Sequence, residues 1–334
     1  MYKFVCTLIL LTYSGYSYSQ DNYIAKNENI YIENINIPYL IDISHSNIIV
    51  INTPKQKITT IDSLIYVYDN RGKLIKKFGS YGQAPGDLML PVNIKTDELG
   101  NIYIYDDWLK RMTVYDRNGK VKTVFKVQGN NTTSYIISNG NIYINLPNTG
   151  YCITKYLLNG QKSSSYIKIK KYNSNENLNY VFNEGSIILT EDYKLFLLCD
   201  YIMTVKICNS LNKKEEYIEK SYSDIIKYFA VPDNYINPEK QDVIGRSFRD
   251  IIGSILNYKN KYYIVIDRNY IKYNDINEYT AGIILEFNKD LTFNKLITIK
   301  REKEVKNTFI SNIKVINDFI VFTLYNDNKI YLLK

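Results

Sequence analysis

One phrase occurs twice in this chain, and few folds can accommodate it. Val67-Tyr-Asp-Asn-Arg-Gly-Lys-Leu-Ile-Lys-Lys-Phe78 is answered by Val114-Tyr-Asp-Arg-Asn-Gly-Lys-Val-Lys-Thr-Val-Phe125. Each copy reads as a strand, a glycine turn and a second strand. A lone hairpin is marginal in water, so units repeated at a period of about 40 residues must bury their faces against each other, as in a solenoid or a propeller.

Alternating strand segments bounded by Gly, Asn and Asp run almost from end to end, and long helical periodicity is nearly absent, so the chain is all-β. The clearest unit spans 92–127, with strands at 92–97, 102–105, 112–115 and 121–127. Four antiparallel strands in that order make one propeller blade. Asn141-Ile-Tyr-Ile144 repeats Asn101-Ile-Tyr-Ile104 after 40 residues, which opens a third blade at 133–170. Weaker copies follow at 186–220 and 250–299, and a first blade precedes at 39–78. From Phe309 only three strands remain, at 310–315, 319–324 and 329–333, and the missing fourth is available at 29–37. Pairing that N-terminal strand with the last three would remove a bare sheet edge. The expected fold is a six-bladed β-propeller of four-stranded antiparallel blades, closed in this way.

The first residues read as a leader. Lys3 gives a positive start, 4–11 an apolar run, and Ser17-Tyr-Ser19 a small-x-small cleavage site. The expected organisation is a signal peptide at 1–19 and one propeller domain at 20–334, with an insertion at about 223–249 between blades four and five. The product would be periplasmic, cell-surface or secreted. The apolar run is too short to span a bilayer, and no later segment is long enough, so no transmembrane segment is expected. The chain carries 42 basic and 34 acidic residues scattered among one another, which argues against nucleic acid as a partner. Its 34 tyrosines suit half-buried strands or, alternatively, a sugar- or peptide-stacking surface. Cys152, Cys199 and Cys208 read as buried small residues, with a Cys199–Cys208 pairing as the alternative in an exported chain.

Phe78-Gly-Ser-Tyr-Gly-Gln-Ala-Pro-Gly-Asp-Leu-Met-Leu-Pro91, then Asp97-Glu-Leu-Gly-Asn-Ile-Tyr-Ile-Tyr-Asp106 and Arg111-Met-Thr-Val-Tyr-Asp116, resembles an NHL repeat. More closely, the chain is similar to the exported six-bladed β-propeller proteins of Bacteroidetes. The match covers 64–125 and decays afterwards, and Leu109 replaces the asparagine usual two residues before the arginine. The resemblance implies the fold, export, and a blade-stabilising bridge between Asp106 and Arg111. It implies no activity, because propellers host enzymes, binders and scaffolds alike.

Candidate sites follow from where the repeat is broken. Asp106, Asp107, Trp108, Lys110 and Arg111 crowd one inter-strand loop, where a lone Trp among acids and bases could grip a sugar or peptide. The competing reading makes Asp106 a turn cap paired with Arg111. In the insertion, Ser223 could cap a short helix, and Phe229 and Tyr235 offer a second contact surface. Gly79, Gly82, Pro85 and Gly86 lack the Gly-Lys-Ser/Thr ending of a phosphate loop and read as the turn that carries the chain from blade one to blade two. The single histidine, His45, cannot make a three-nitrogen zinc site and sits in a turn where it reads as solvated, which leaves Ser and Cys nucleophiles short of their usual activating base. No cofactor is expected; a structural calcium held by acids and carbonyls is the alternative, but Asp62, Asp97 and Asp106 are too weakly patterned to assign it. The sequence thus points to a monomeric ligand-binding or protein-interaction module, its partner an envelope protein, peptide or glycan. The alternative is a carboxylate-based hydrolase or lyase on glycans or peptides.

Overall fold

In both copies of the repeated phrase an aspartate and a glycine build the turn. The computed structural model describes residues 19–24, 30–31, 40–43, 47–51, 63–69, 71–127, 134–172, 174–190, 192–199, 204–210, 218–221, 252–266, 280–300, 310–316, 319–324 and 329–333. Asp69 Oδ1 accepts the backbone N–H groups of Arg71 and Lys73, both at 2.9 Å. Asp116 Oδ1 accepts those of Asn118 and Lys120 at 2.8 and 2.9 Å. The closing phenylalanine of each copy belongs to the next hairpin. Phe78 lies 5.3 Å from the Tyr115 ring, and Phe125 lies 6.0 Å from the Tyr156 ring. A Cβ on Gly119 would stand 2.8 Å from the Phe78 ring, and one on Gly160 would stand 2.5 Å from Phe125. Both glycines also hold left-handed φ angles of 87° and 83°, so a side chain there meets strain as well as the ring. The phrase therefore encodes a joint between neighbouring blades as well as a hairpin.

The strands assemble into a β-propeller. Five of its sheets are four-stranded and antiparallel. One comprises β3 (Leu40–Ile43), β4 (Asn47–Ile51), β5 (Ile65–Asp69) and β6 (Leu74–Phe78). The next comprises β7 (Pro91–Thr96), β8 (Ile102–Asp106), β9 (Arg111–Tyr115) and β10 (Val121–Lys126). The third holds β11 (Tyr135–Ser138), β12 (Asn141–Asn145), β13 (Tyr151–Leu157) and β14 (Lys162–Lys168). The fourth holds β15 (Gly185–Leu189), β16 (Lys194–Cys199), β17 (Thr204–Asn209) and β18 (Ile218–Ser221). In the last, β23 (Ile310–Ile316), β24 (Phe319–Leu324) and β25 (Lys329–Leu333) are joined by β2 (Ile30–Tyr31). β2 runs antiparallel to β25, pairing Ile30 with Ile330 and Tyr31 with Lys329. This is the expected N-terminal partner of the last three strands, seen over two residues of the expected 29–37.

The expectation of six four-stranded blades is corrected: five sheets have that form and one does not. β19 (Ile252–Tyr258), β20 (Lys261–Ile266), β21 (Thr280–Asn288) and β22 (Phe293–Lys300) carry a fifth strand, β1 (Ser19–Ile24), added parallel to β22. The outer edge of β22 presents unpaired N–H and C=O groups, and a polar segment can satisfy them without an apolar face. Ser-Gln-Asp-Asn-Tyr-Ile has no alternation to announce such a strand. Ser19, the last residue of the expected leader, pairs with Lys295, while 1–18 lie outside the described residues.

The innermost strands neighbour one another in the order β3, β7, β11, β15, β19, β23 and back to β3. The core sits between facing sheets. Ile49, Ile51, Ile65 and Val67 pack on Ile94, Ile102, Ile104 and Tyr115, and Tyr103, Tyr105 and Met112 pack on Tyr135, Ile142 and Ile144. Each such buried side chain contributes about 1.5–3 kcal/mol. A short helix that the periodicity did not announce, α1 (Glu176–Phe182), interrupts the passage from β14 to β15. Asn175 caps it by accepting Asn177 N at 2.9 Å, and Phe182 anchors it in the core. Cys152, Cys199 and Cys208 are buried thiols of that core. Cys208 faces Leu195 and Cys199 faces Thr204, so those two stand at opposite ends of one hairpin.

Candidate binding face

Antiparallel order puts the β8–β9 turn and the β6–β7 connection at the same end of their sheets, and one carboxylate ties them together. Asp106, fully buried as the last residue of β8, accepts Leu109 N at 2.9 Å through Oδ1, and Met89 N and Leu90 N at 2.6 and 3.0 Å through Oδ2. A carboxylate accepts only, so three otherwise orphaned N–H groups converge on it. Asp107 N then donates to Leu90 O at 2.9 Å.

Arg111 fixes the glycine-rich turn. It donates to Gln83 O at 3.0 Å, Ala84 O at 2.7 Å and Asp87 O at 2.8 Å. The expected bridge between Asp106 and Arg111 is thus replaced by backbone contacts, although the two residues face each other across β8 and β9. The turn leaves no room for larger residues. A Cβ on Gly86 would stand 2.5 Å from Val121, and one on Gly82 would stand 2.5 Å from the Asp87 carboxylate. Gly79 adjoins Ile65, and Gly86 O accepts the Tyr115 hydroxyl at 2.5 Å. Pro85 stands between these glycines. Burial raises the Tyr115 phenol pKa, so it stays a proton donor to that carbonyl.

On this tied frame stands Trp108, 67% exposed, with Leu90 and Tyr81 also exposed on the adjoining connection. Lys110 and Asp107 form a 2.7 Å ion pair beside it, and Lys110 holds a left-handed φ of 48°. An exposed pair of this kind stabilises by at most about 1 kcal/mol. The loop is therefore a rigid support carrying an outward aromatic, flanked by one acid and one base. Phe229 and Tyr235 lie outside the described residues, as do the insertion at 223–249, His45 and Asp62.

Asp97, like Asp106, has its carboxylate engaged by the protein's own donors. Asp97 accepts Leu99 N at 3.0 Å, Asn101 N at 2.8 Å, Asn101 Nδ2 at 2.7 Å and the Tyr103 hydroxyl at 2.8 Å. Among the described residues no group of three or more His, Cys, Asp or Glu could hold a metal ion. Nor is any helix among them long and apolar enough to cross a membrane.

No protein-family model matches the chain, and no curated protein does. Solved structures do. A candidate exported protein of Bacteroides fragilis aligns at a TM-score of 0.52 with 10% identity, over 94% of this chain and 98% of that one. A member of the DUF4221 family from Bacteroides vulgatus gives 0.52 at 11% identity, over 91% and 96% of the two chains. A catalytically inactive virginiamycin B lyase from Staphylococcus aureus, with quinupristin, gives 0.53 at 12% identity, over 91% and 97%. At such identities the likeness is one of fold alone.

Sequence reasoning missed two polar clusters. One is Asp42 with Lys95 and Lys314 on three neighbouring inner strands. The other is Lys206, fully buried in β17, which donates to Asn183 Oδ1 and stands 5.3 Å from the Tyr172 ring. A lone charge in an alternating strand is a weak signal, because only the neighbouring blade decides whether it faces solvent.

Proposed function

We propose that the protein is an exported β-propeller acting as a ligand-binding or interaction module of the cell envelope, with the 106–111 loop as its contact surface. In this reading 1–19 is a cleaved signal peptide, the protein is a monomer, and the five-stranded sheet serves as the sixth blade with one added strand. The observation that carries the proposal is Trp108, the only tryptophan of the chain, 67% exposed on a loop whose backbone is tied down by Asp106. Exposed aromatic area on a preorganised loop loses little entropy when a ligand covers it. Asp107 and Lys110 supply a hydrogen-bonding rim, which suits a peptide or a glycan. A carboxylate-based hydrolase or lyase has less support, since Asp97 and Asp106 already commit their oxygens to the protein's own donors.

The same tryptophan provides the test. Its emission reports on this loop alone, so envelope glycans and peptides can be titrated while fluorescence and Tm are followed together. A ligand should shift the emission to the blue and raise Tm in the wild type, and do neither in Trp108→Ala. Equal stabilisation of both proteins would place the contact surface elsewhere.

A further inference from the structure

Two buried side chains of the fourth sheet meet at their reactive ends. Lys206 of β17 and Asn183, the residue that follows α1, are both fully buried, and Lys206 Nζ donates to Asn183 Oδ1. The amine thus touches the oxygen bonded to the carboxamide carbon, Cγ. Lys170 fixes which way the carboxamide points: its N–H donates to Oδ1 at 3.1 Å, and its C=O accepts from Nδ2 at 2.9 Å. Asn179 O also accepts from Nδ2, at 2.6 Å, and Cys152 Sγ lies 3.4 Å from Oδ1. The Tyr172 ring stands 5.3 Å from Nζ and packs edge-on against Phe182. A primary amine is therefore held against a primary amide in a part of the core closed to water.

We propose that Lys206 and Asn183 join spontaneously in an isopeptide bond, which makes this pair a covalent modification site of the interior. Nζ attacks Cγ, an N–C bond forms, and the Cγ–Nδ2 bond breaks. Two of the three protons on the Lys206 ammonium go to the departing nitrogen, which leaves as an ammonium ion. Atoms and charge balance, and no oxidant, reductant or cofactor is consumed. The negative charge that gathers on Oδ1 as the carbon becomes tetrahedral faces the Lys170 N–H and the Cys152 thiol, donors already in place. Fixing both partners in one core replaces an encounter between free groups by a step within the fold. Burial keeps out the water that would compete for Cγ. The product exchanges a buried ammonium for a neutral amide, which the interior accommodates better. The bond would tie the end of the helical passage to the third strand of the sheet, across positions 23 apart. The proposal is independent of the role given to the 106–111 loop.

The test is a tryptic peptide map of the purified protein, read by mass spectrometry, for the wild type and Lys206→Arg. Trypsin spares a lysine whose amine is an amide. The wild type should therefore yield one species that joins 172–194 to 195–213, lighter by one ammonia than the two pieces together. Lys206→Arg should release 172–194 and 195–206 separately. Complete recovery of 195–206 from the wild type would overturn the proposal, as would the joined species in Lys206→Arg. Should Lys206→Arg not fold, fragmentation of the wild-type species decides. A bond mapped to Lys206 and Asn183 upholds the link, and a bond mapped to any other pair removes it.

Discussion

Two passages between blades solve the same problem differently. From β6 to β7 the chain makes a glycine-rich turn held by Asp106, the last residue of β8. From β14 to β15 it makes the helix α1, held by Asn145, the last residue of β12. Asp106 only accepts, so it gathers N–H groups from the connection entering its blade. Asn145 both donates and accepts, so it joins Cys152 O of β13, at 2.8 Å, to Asn183 O, at 3.2 Å, and Gly185 N, at 3.0 Å, where the chain leaves its blade for the next. The first arrangement leaves Trp108 outside. The second roofs its sheet and shuts Lys206 inside, with Asn183 and the Tyr172 ring for company. Within one scaffold, replacing a carboxylate by a carboxamide at the same strand end goes with an open surface in one case and a closed one in the other.

The comparison breaks most sharply at Gly185. A Cβ there would stand 1.7 Å from Leu198 O of the paired strand, so Gly185→Ala should cost more than about 4 kcal/mol, read by chemical denaturation. The matching entry to blade two begins with Pro91 and tolerates a side chain. Next comes Asp106→Ala, which strands three N–H groups and should cost about 3 kcal/mol. If it costs less than Asn145→Ala, the charged hub is not the stronger of the two.

Alkaline pH tests the roofed side. Burial, with Tyr166 second, pushes the Tyr143 phenol up to about 12. A raised folded-state pKa gives stability that is complete below the ordinary value of about 10 and lost as pH climbs through 12. Tm should therefore fall between those pH values, and fall less in Tyr143→Phe. A smaller effect is expected from Lys206→Met, measured against wild type in which Lys206 is not linked to Asn183. Among the described residues no carboxylate pairs with this buried ammonium, so the substitution should leave stability unchanged or raise it by about 1 kcal/mol. A large loss would show that the Asn183 and Tyr172 contacts more than repay its desolvation. Smallest of all, Trp108→Ala should move stability by less than about 0.5 kcal/mol while abolishing the response to ligand.

Most hairpins were legible because alternation and glycine turns are local signals. In the third unit Leu157 stands where Asp116 stood, yet Leu157 N still donates to Gln161 O at 2.9 Å, as Asp116 N does to Lys120 O at 2.8 Å. The turn survives on its backbone geometry and glycine, with Asn159 Oδ1 accepting Gln161 N at 3.0 Å in place of the aspartate cap. The polar strand β1 was illegible because an edge strand needs no apolar face, and α1 because seven residues hold too little periodicity. The 106–111 loop was found from its composition, but Arg111 was assigned the wrong partner. A register pair across two strands does not fix where a long side chain ends, and the carbonyls of the neighbouring turn lay within its reach.

By itself the sequence determined a chain of repeated hairpins that must cover one another, because local turn chemistry and alternation are written residue by residue. Only the tertiary structure decided that Phe78 and Phe125 lie under the glycines of the following hairpins. It alone gave one sheet a parallel fifth strand and joined Asp42 of β3 to Lys314 of β23 and Thr96 of β7. Contacts between blades join residues tens to hundreds of positions apart, and no local pattern records which of them will meet.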